Sequence, residues 1–152
     1  MTQTTLNDFM TARRAAEYAT QSGTKTHDIL RHVIIDGDTE IGPADIITKI
    51  KSNSELTQYF TATAMTEVPV AGKIRGKFIS RRIDRMIINH DTHTIKILDY
   101  KTDINTTERR NDYITQLREY AKLMHEIYPT YVISTAILWT HDWRLEILNL
   151  NA

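Results

Sequence analysis

From Ala62 onward the apolar residues change their period, and that change limits the possible folds more than any other feature of the chain. Ahead of it the pattern is helical. Helix formers with Ala12, Ala15, Ala16 and Ala19 predict a helix over Thr5–Gln21, stopped by Ser22-Gly23. Ile29, Leu30, Val33 and Ile34 fall at helical spacing and predict a second helix over Lys25–Ile35. Pro43 suits the first turn of a third, running to about Lys51, and Ser54 is placed to cap a short fourth that ends near Phe60. Behind the switch the pattern is extended. Ala62–Val70 is one strand, with Pro69 near its end. Lys73–Asn89, rich in β-branched and basic residues, is a second, bent near Gly76. His90-Asp91-Thr92-His93 is a turn, and Thr94–Lys101 a third strand that completes an antiparallel meander.

A long helix follows over Arg109–Tyr128, ended by Pro129. Ile114, Leu117, Ala121, Met124 and Tyr128 form one row on it, and Tyr113, Gln116, Tyr120, Leu123 and Ile127 the adjacent row; polar residues lie opposite. Tyr131–Thr140 and Trp143–Leu148 then predict two last strands. Helices, three strands, a helix and two strands make a mixed α/β domain.

At 152 residues the chain fits a single domain, and no stretch has linker composition. No run approaches the roughly 18 apolar residues of a membrane helix. The start, Met-Thr-Gln-Thr-Thr, has no signal-peptide character, so a cytoplasmic location is expected. With no cysteine, disulfides, thiolate zinc sites and cysteine-held iron–sulfur clusters are excluded. The formal net charge is zero, so no global field draws nucleic acid to the protein. The charge is uneven, however. Lys73, Arg75, Lys77, Arg81, Arg82 and Arg85 face one acid, Asp84, over a short stretch. Such a strip is either a solvated strand face or a contact for phosphates.

Asp99-Tyr100-Lys101 ends the apolar strand Ile95-Lys96-Ile97-Leu98. Alternation puts Asp99 and Lys101 on one face with Ile95 and Ile97, where buried charges need partners or a metal. An isolated Asp-x-Lys is usually a structural ion pair; the context is what distinguishes this one. Asp84 is a lone acid in a strand that continues apolar, and the midpoint between 84 and 99 falls inside the turn at 90–93. A simple hairpin therefore sets Asp84 opposite Asp99. Two opposed carboxylates repel, and a divalent cation between them removes the conflict. A few carboxylate oxygens favour Mg²⁺ or Mn²⁺.

The string Gly76…Ile83-Asp84-Arg85…Ile97-Leu98-Asp99-Tyr100-Lys101-Thr102…Tyr113…Gln116-Leu117…Tyr120 resembles the nuclease domain of the RecB and AddA helicase–nucleases, members of the PD-(D/E)xK superfamily. Upstream, Gly23-Thr24…His27 is similar to the family's histidine motif, and the resemblance covers roughly residues 22 to 140. It implies a restriction-endonuclease-like α/β core, a mixed central sheet flanked by helices, over about residues 61–152. A helical region over about residues 1–60 would precede it in the same domain. It also implies an exonuclease-like, Mg²⁺- or Mn²⁺-dependent deoxyribonuclease of double-strand-break repair or recombination. DNA would be its partner, together with a helicase subunit or domain.

By position, the resemblance assigns Asp84 and Asp99 to the metal, with the Tyr100 carbonyl and His27 as further ligands. It makes Lys101 the catalytic lysine and matches Gln116 and Tyr120 to the Gln-x-x-x-Tyr motif, whose members share a helix face. Arg75, Lys77, Arg81 and Arg82 would contact the DNA backbone. Glu67 is a further candidate to face the site, though an exposed strand Glu accounts for it equally. His32, His90, His93, His125 and His141 receive no role, and Trp139 and Trp143 are read as core. The missing cysteines disfavour the AddB-type and CRISPR-associated branches that hold an iron–sulfur cluster. No phosphate-binding G-x-x-x-x-G-K-[ST] loop is present, so the sequence is either a piece of a larger helicase–nuclease or a stand-alone product. Two alternatives stay open: an inactive nuclease fold that binds DNA or docks a partner, and an unrelated α/β domain with a buried Asp99–Lys101 pair.

Overall fold

A computed structural model describes residues 25–103 and 109–150. The helix expected over Thr5–Gln21 and the Gly23-Thr24 motif lie outside the described residues. Residues 25–30 are helical (α1). The expected continuation to Ile35 does not occur. Ile34–Asp36 (β1) instead pairs antiparallel with Thr39–Ile41 (β2), turning at Gly37 with φ +59°. The cause is Gly37-Asp38 between the paired Asp36 and Thr39, a two-residue turn whose first central position, Gly37, accepts positive φ without a Cβ clash.

Pro43 precedes helix α2 (Ala44–Lys51), whose Asp45 and whose Lys49 and Lys51 suit the two ends of the helix dipole. Helix α3 (Ser54–Thr57) is capped by Asn53, not by Ser54. The Asn53 side chain accepts from the Glu55 and Leu56 amides. A 3-10 turn, Gln58–Phe60, completes the segment and buries Tyr59 and Phe60.

Strands β3 (Met65–Ile74), β4 (Lys77–Asn89), β5 (Thr94–Lys101), β6 (Val132–Trp139) and β7 (Arg144–Leu148) form one mixed sheet in that order. The single bent strand expected over Lys73–Asn89 is in fact the end of β3, a tight turn and β4. Arg75 and Gly76 both take positive φ, 51° and 75°, as a two-residue hairpin turn of the primed type requires. Helix α4 (Arg110–Ile127) crosses from β5 to β6, which run parallel, with Thr94 beside Val132 and Lys101 beside Trp139. The expected order of three strands, a helix and two strands is present, with shifted boundaries.

Both sheet faces are covered over the middle strands. On one, Leu117, Tyr120, Leu123 and Met124 of α4 pack on Met86, Ile95, Ile97 and Ile137. On the other, Leu30, Ile47, Ile50, Leu56 and Phe60 pack on Leu98, Tyr100, Ala136 and Leu138. Gly72 permits α4 to approach β3, since a Cβ there would stand 2.7 Å from Leu123 Cδ2. Among the described residues no helix is long and apolar enough to cross a membrane.

Candidate active site

The hairpin of β4 and β5 pairs Arg85 with Leu98, and the next position in that register sets Asp84 beside Asp99. Both acids are buried, at 9% and 2% exposure. The Tyr100 amide donates to Asp84 Oδ2 at 2.8 Å. Burial is the main reason that the Asp84 carboxyl rises from its ordinary 3.8 to about 8. The neighbouring charge of Asp99 and a hydrogen bond shared with it act the same way, while the Tyr100 amide and Lys101 oppose them. Near neutral pH Asp84 thus keeps its proton.

Lys101 lies on the same strand face as Asp99, its Nζ 2.7 Å from Asp99 Oδ2. That oxygen is buried and receives no directed hydrogen bond, so the attraction is mainly coulombic. Two further contacts hold the ammonium. It donates to Gln116 Oε1 at 3.1 Å and sits 4.3 Å above the centre of the Tyr113 ring. Tyr113 itself donates to Asp103. Gln116 Nε2 donates to the Tyr120 hydroxyl at 2.7 Å, which donates to the Arg82 carbonyl at 3.0 Å. Gln116 and Tyr120 therefore brace Lys101 against the backbone of β4, two residues from Asp84. Tyr120 is 1% exposed, and its burial, with the charges of Asp99 and Asp84, pushes its hydroxyl far up.

His27 enters from α1. Its Nε2 is 3.1 Å from the Tyr100 carbonyl oxygen, and its Nδ1 is 3.9 Å from Asp84 Oδ1. All the residues expected at the centre (His27, Asp84, Asp99, Tyr100, Lys101, Gln116 and Tyr120) are thus brought together from α1, β4, β5 and α4. The donors fit a small divalent cation on one observation: Asp99 Oδ2 is a buried carboxylate oxygen with no directed hydrogen bond, met only by the Lys101 ammonium, beside a second carboxyl that burial keeps protonated. As the side chains stand, no three His, Asp or Glu groups among the described residues converge into a closed metal cage. The hydrogen bond between His27 Nε2 and the Tyr100 carbonyl engages two of the expected ligands with each other.

The basic strip is not uniform. Arg81 pairs with Glu119 at 3.2 Å, and Arg82 with Glu67 at 3.7 Å. Arg75 and Lys77 stand at the β3–β4 tip, away from the carboxylates. Glu67 lies at the register position beside Asp84 with φ +53°. Trp139 is wholly buried and donates to Glu146 at 2.9 Å; Trp143 packs at the edge of the second core cluster.

Arg85 does not belong to the surface strip; it is 1% exposed. Its guanidinium donates to the Leu30, Val33 and Tyr59 carbonyls and the Tyr100 hydroxyl, and it lies 4.2 Å from the centre of the Phe60 ring. It ties α1 and the 3-10 turn to β5, and so sets His27 over Tyr100. The signal for it was its place in the apolar run from Ile83 to Ile88, where a solvated arginine has no room. No family model matches the chain, and no curated protein matches it.

Proposed function

We propose that this domain is a metal-dependent deoxyribonuclease with a restriction-endonuclease-like core of the PD-(D/E)xK type. One observation carries the reading. Two buried aspartates meet in the register of adjacent strands, and a lysine braced by Gln116 and Tyr113 lies on the same face. Asp84, Asp99, His27 and the Tyr100 carbonyl would hold Mg²⁺ or Mn²⁺, which supplies Lewis-acid polarisation of a phosphate and a water of lowered pKa. Lys101 offers a fixed positive charge for the negative charge that builds on the phosphate in the transition state. Gln116, Tyr120 and Tyr113 keep that charge from swinging into solvent. To serve as a ligand, Asp84 would have to give up its proton.

The RecB/AddA resemblance supports exonuclease-like action in break repair or recombination, in the cytoplasm, beside a helicase subunit or domain. The test is incubation of the purified chain with linear and circular DNA in Mg²⁺, Mn²⁺ or EDTA. Cleavage that needs a metal and is lost in Asp84→Asn with Asp99→Asn supports the proposal. No cleavage under any metal, by a folded protein that still binds DNA, would favour an inactive fold used for docking. The close Asp99–Lys101 contact is the observation that favours the other alternative, an unrelated α/β domain with a buried ion pair, which metal titration would separate.

A further inference from the structure

Beyond the site, no described residue covers one sheet face of the outer β3–β4 hairpin. Pro69, Ala71 and Lys73 of β3 pair with Arg82, Ser80 and Phe78 of β4, and all six are exposed. Phe78 is 65% exposed, more than any aromatic residue in either core cluster. From Val68 to Ile83 there are five basic residues and no acid, in a chain whose net charge is zero. Two of the five are already paired, Arg81 with Glu119 and Arg82 with Glu67. Lys73, Arg75 and Lys77 make no ion pair among the described residues. On the α4 side of the same tip a recess of about 240 Å³ is lined by Lys73, Ile74, Arg75, Lys122, His125 and Glu126, three of them cations beside one acid.

Pro69 and Lys73 have an ordinary explanation, because β3 is a sheet edge and such residues discourage strand addition. Phe78 has none. Among the described residues it pairs only with Lys73 of β3, outside the β4–β5 ladder that starts at Arg85, and a ring left 65% exposed there buries little for the fold. An exposed ring among unpaired cations, with no acid near in sequence, matches what holds a single nucleic-acid strand: a π-face for a base and charges for its phosphates. A polar partner surface would not use the ring, and an apolar one would not tolerate the cations.

The geometry points to the β3–β4 tip as a docking arm for single-stranded DNA, with Phe78 stacking on a base and Lys73, Arg75 and Lys77 holding the backbone. The inference rests on the nuclease reading in taking the strand to be DNA. Asp84 and Phe78 are six residues apart on one strand, about 20 Å. That is about six stacked nucleotides at the spacing of one strand. The arm thus grips DNA well away from the carboxylates, and a strand too short to reach it is held less tightly.

The test measures binding of a fluorescent oligodeoxythymidine to the full chain in EDTA, so that cutting does not intervene. Phe78→Ala should weaken binding about tenfold, and Phe78→Trp should restore it. Inorganic polyphosphate, which has charge but no base, should bind Phe78→Ala as it binds the parent. It should bind less tightly to Lys73→Ala with Arg75→Ala and Lys77→Ala. Unchanged oligodeoxythymidine binding by Phe78→Ala overturns the arm. So does an equal loss towards polyphosphate, tighter binding of the matching RNA, or a loss explained by a dimer falling apart in sedimentation. Cleavage in Mg²⁺ is scored separately: Phe78-dependent binding without any cutting sustains the arm and sinks the nuclease.

Discussion

Asp84 keeps its proton at a pH where ordinary aspartates have lost theirs, and this has a thermodynamic sign. Unfolded, the group titrates near 3.8; folded, near 8. Between those values the native state holds the extra proton, so stability falls as pH rises through that window and levels off above it. Asp84→Asn keeps an acceptor for the Tyr100 amide but cannot ionise. Urea denaturation of metal-free protein should show the parent losing stability towards pH 8 and the variant losing much less; parallel curves would contradict the assignment. Because ligand carboxylates must shed that proton, Mn²⁺ affinity should rise over the same window. Lys101 makes the second residue-scale prediction. Lys101→Ala should cost on the order of a hundredfold in cleavage rate, as other electrostatic stabilisers do, with metal affinity retained. A variant that unfolds instead would mark Lys101 as structural. The Asp84, Asp99 and Lys101 arrangement was legible in the sequence because strand alternation and a short turn fix it. Arg85 was only half legible: its place in an apolar run marks it as buried, but arginines are mostly exposed and only tertiary packing shows four acceptors waiting for one.

At the scale of elements, Arg85 joins the layers. Its partners are carbonyls and a hydroxyl rather than a carboxylate, so removing it leaves several buried acceptors without donors. Arg85→Met should destabilise the protein by about 3 kcal/mol or more. Hydrogen exchange should show α1 and β1 opening before the sheet. Uniform loss of protection would mean that the layers do not separate. The same boundary explains which elements were readable beforehand. The segments β5, α4, β6 and β7 follow their expected spans closely because burial on one or both faces imposes a clean period on each. Lys25–Ile35 was misread because four apolar residues at helical spacing outweighed the turn pair Gly37-Asp38 just beyond them. The β3–β4 turn was hidden because Arg75, an unusual residue at positive φ, occupies its first central position.

Taken whole, the molecule closes some contacts cheaply and others late. Asn89 pairs with Thr94 across a short turn, whereas Thr94 must wait for Val132, with α4 in between. The entropy of closing the longer loop exceeds that of the shorter by about 2 kcal/mol. Pulse-labelled refolding should therefore protect the amides of Met86–Ile88 before those of Ala136–Leu138. Simultaneous protection would show that α4 and β6 dock as the hairpin forms. This order also applies on the ribosome. Once Lys101 has emerged, β4 and β5 can already join and set Asp84 against Asp99, but Gln116, Tyr120 and the parallel partner of β5 do not yet exist. At usual rates of synthesis, residues 102–139 take roughly two to eight seconds to add. For that interval the nascent chain carries two facing acids still open to water, and a lysine with nothing to brace it.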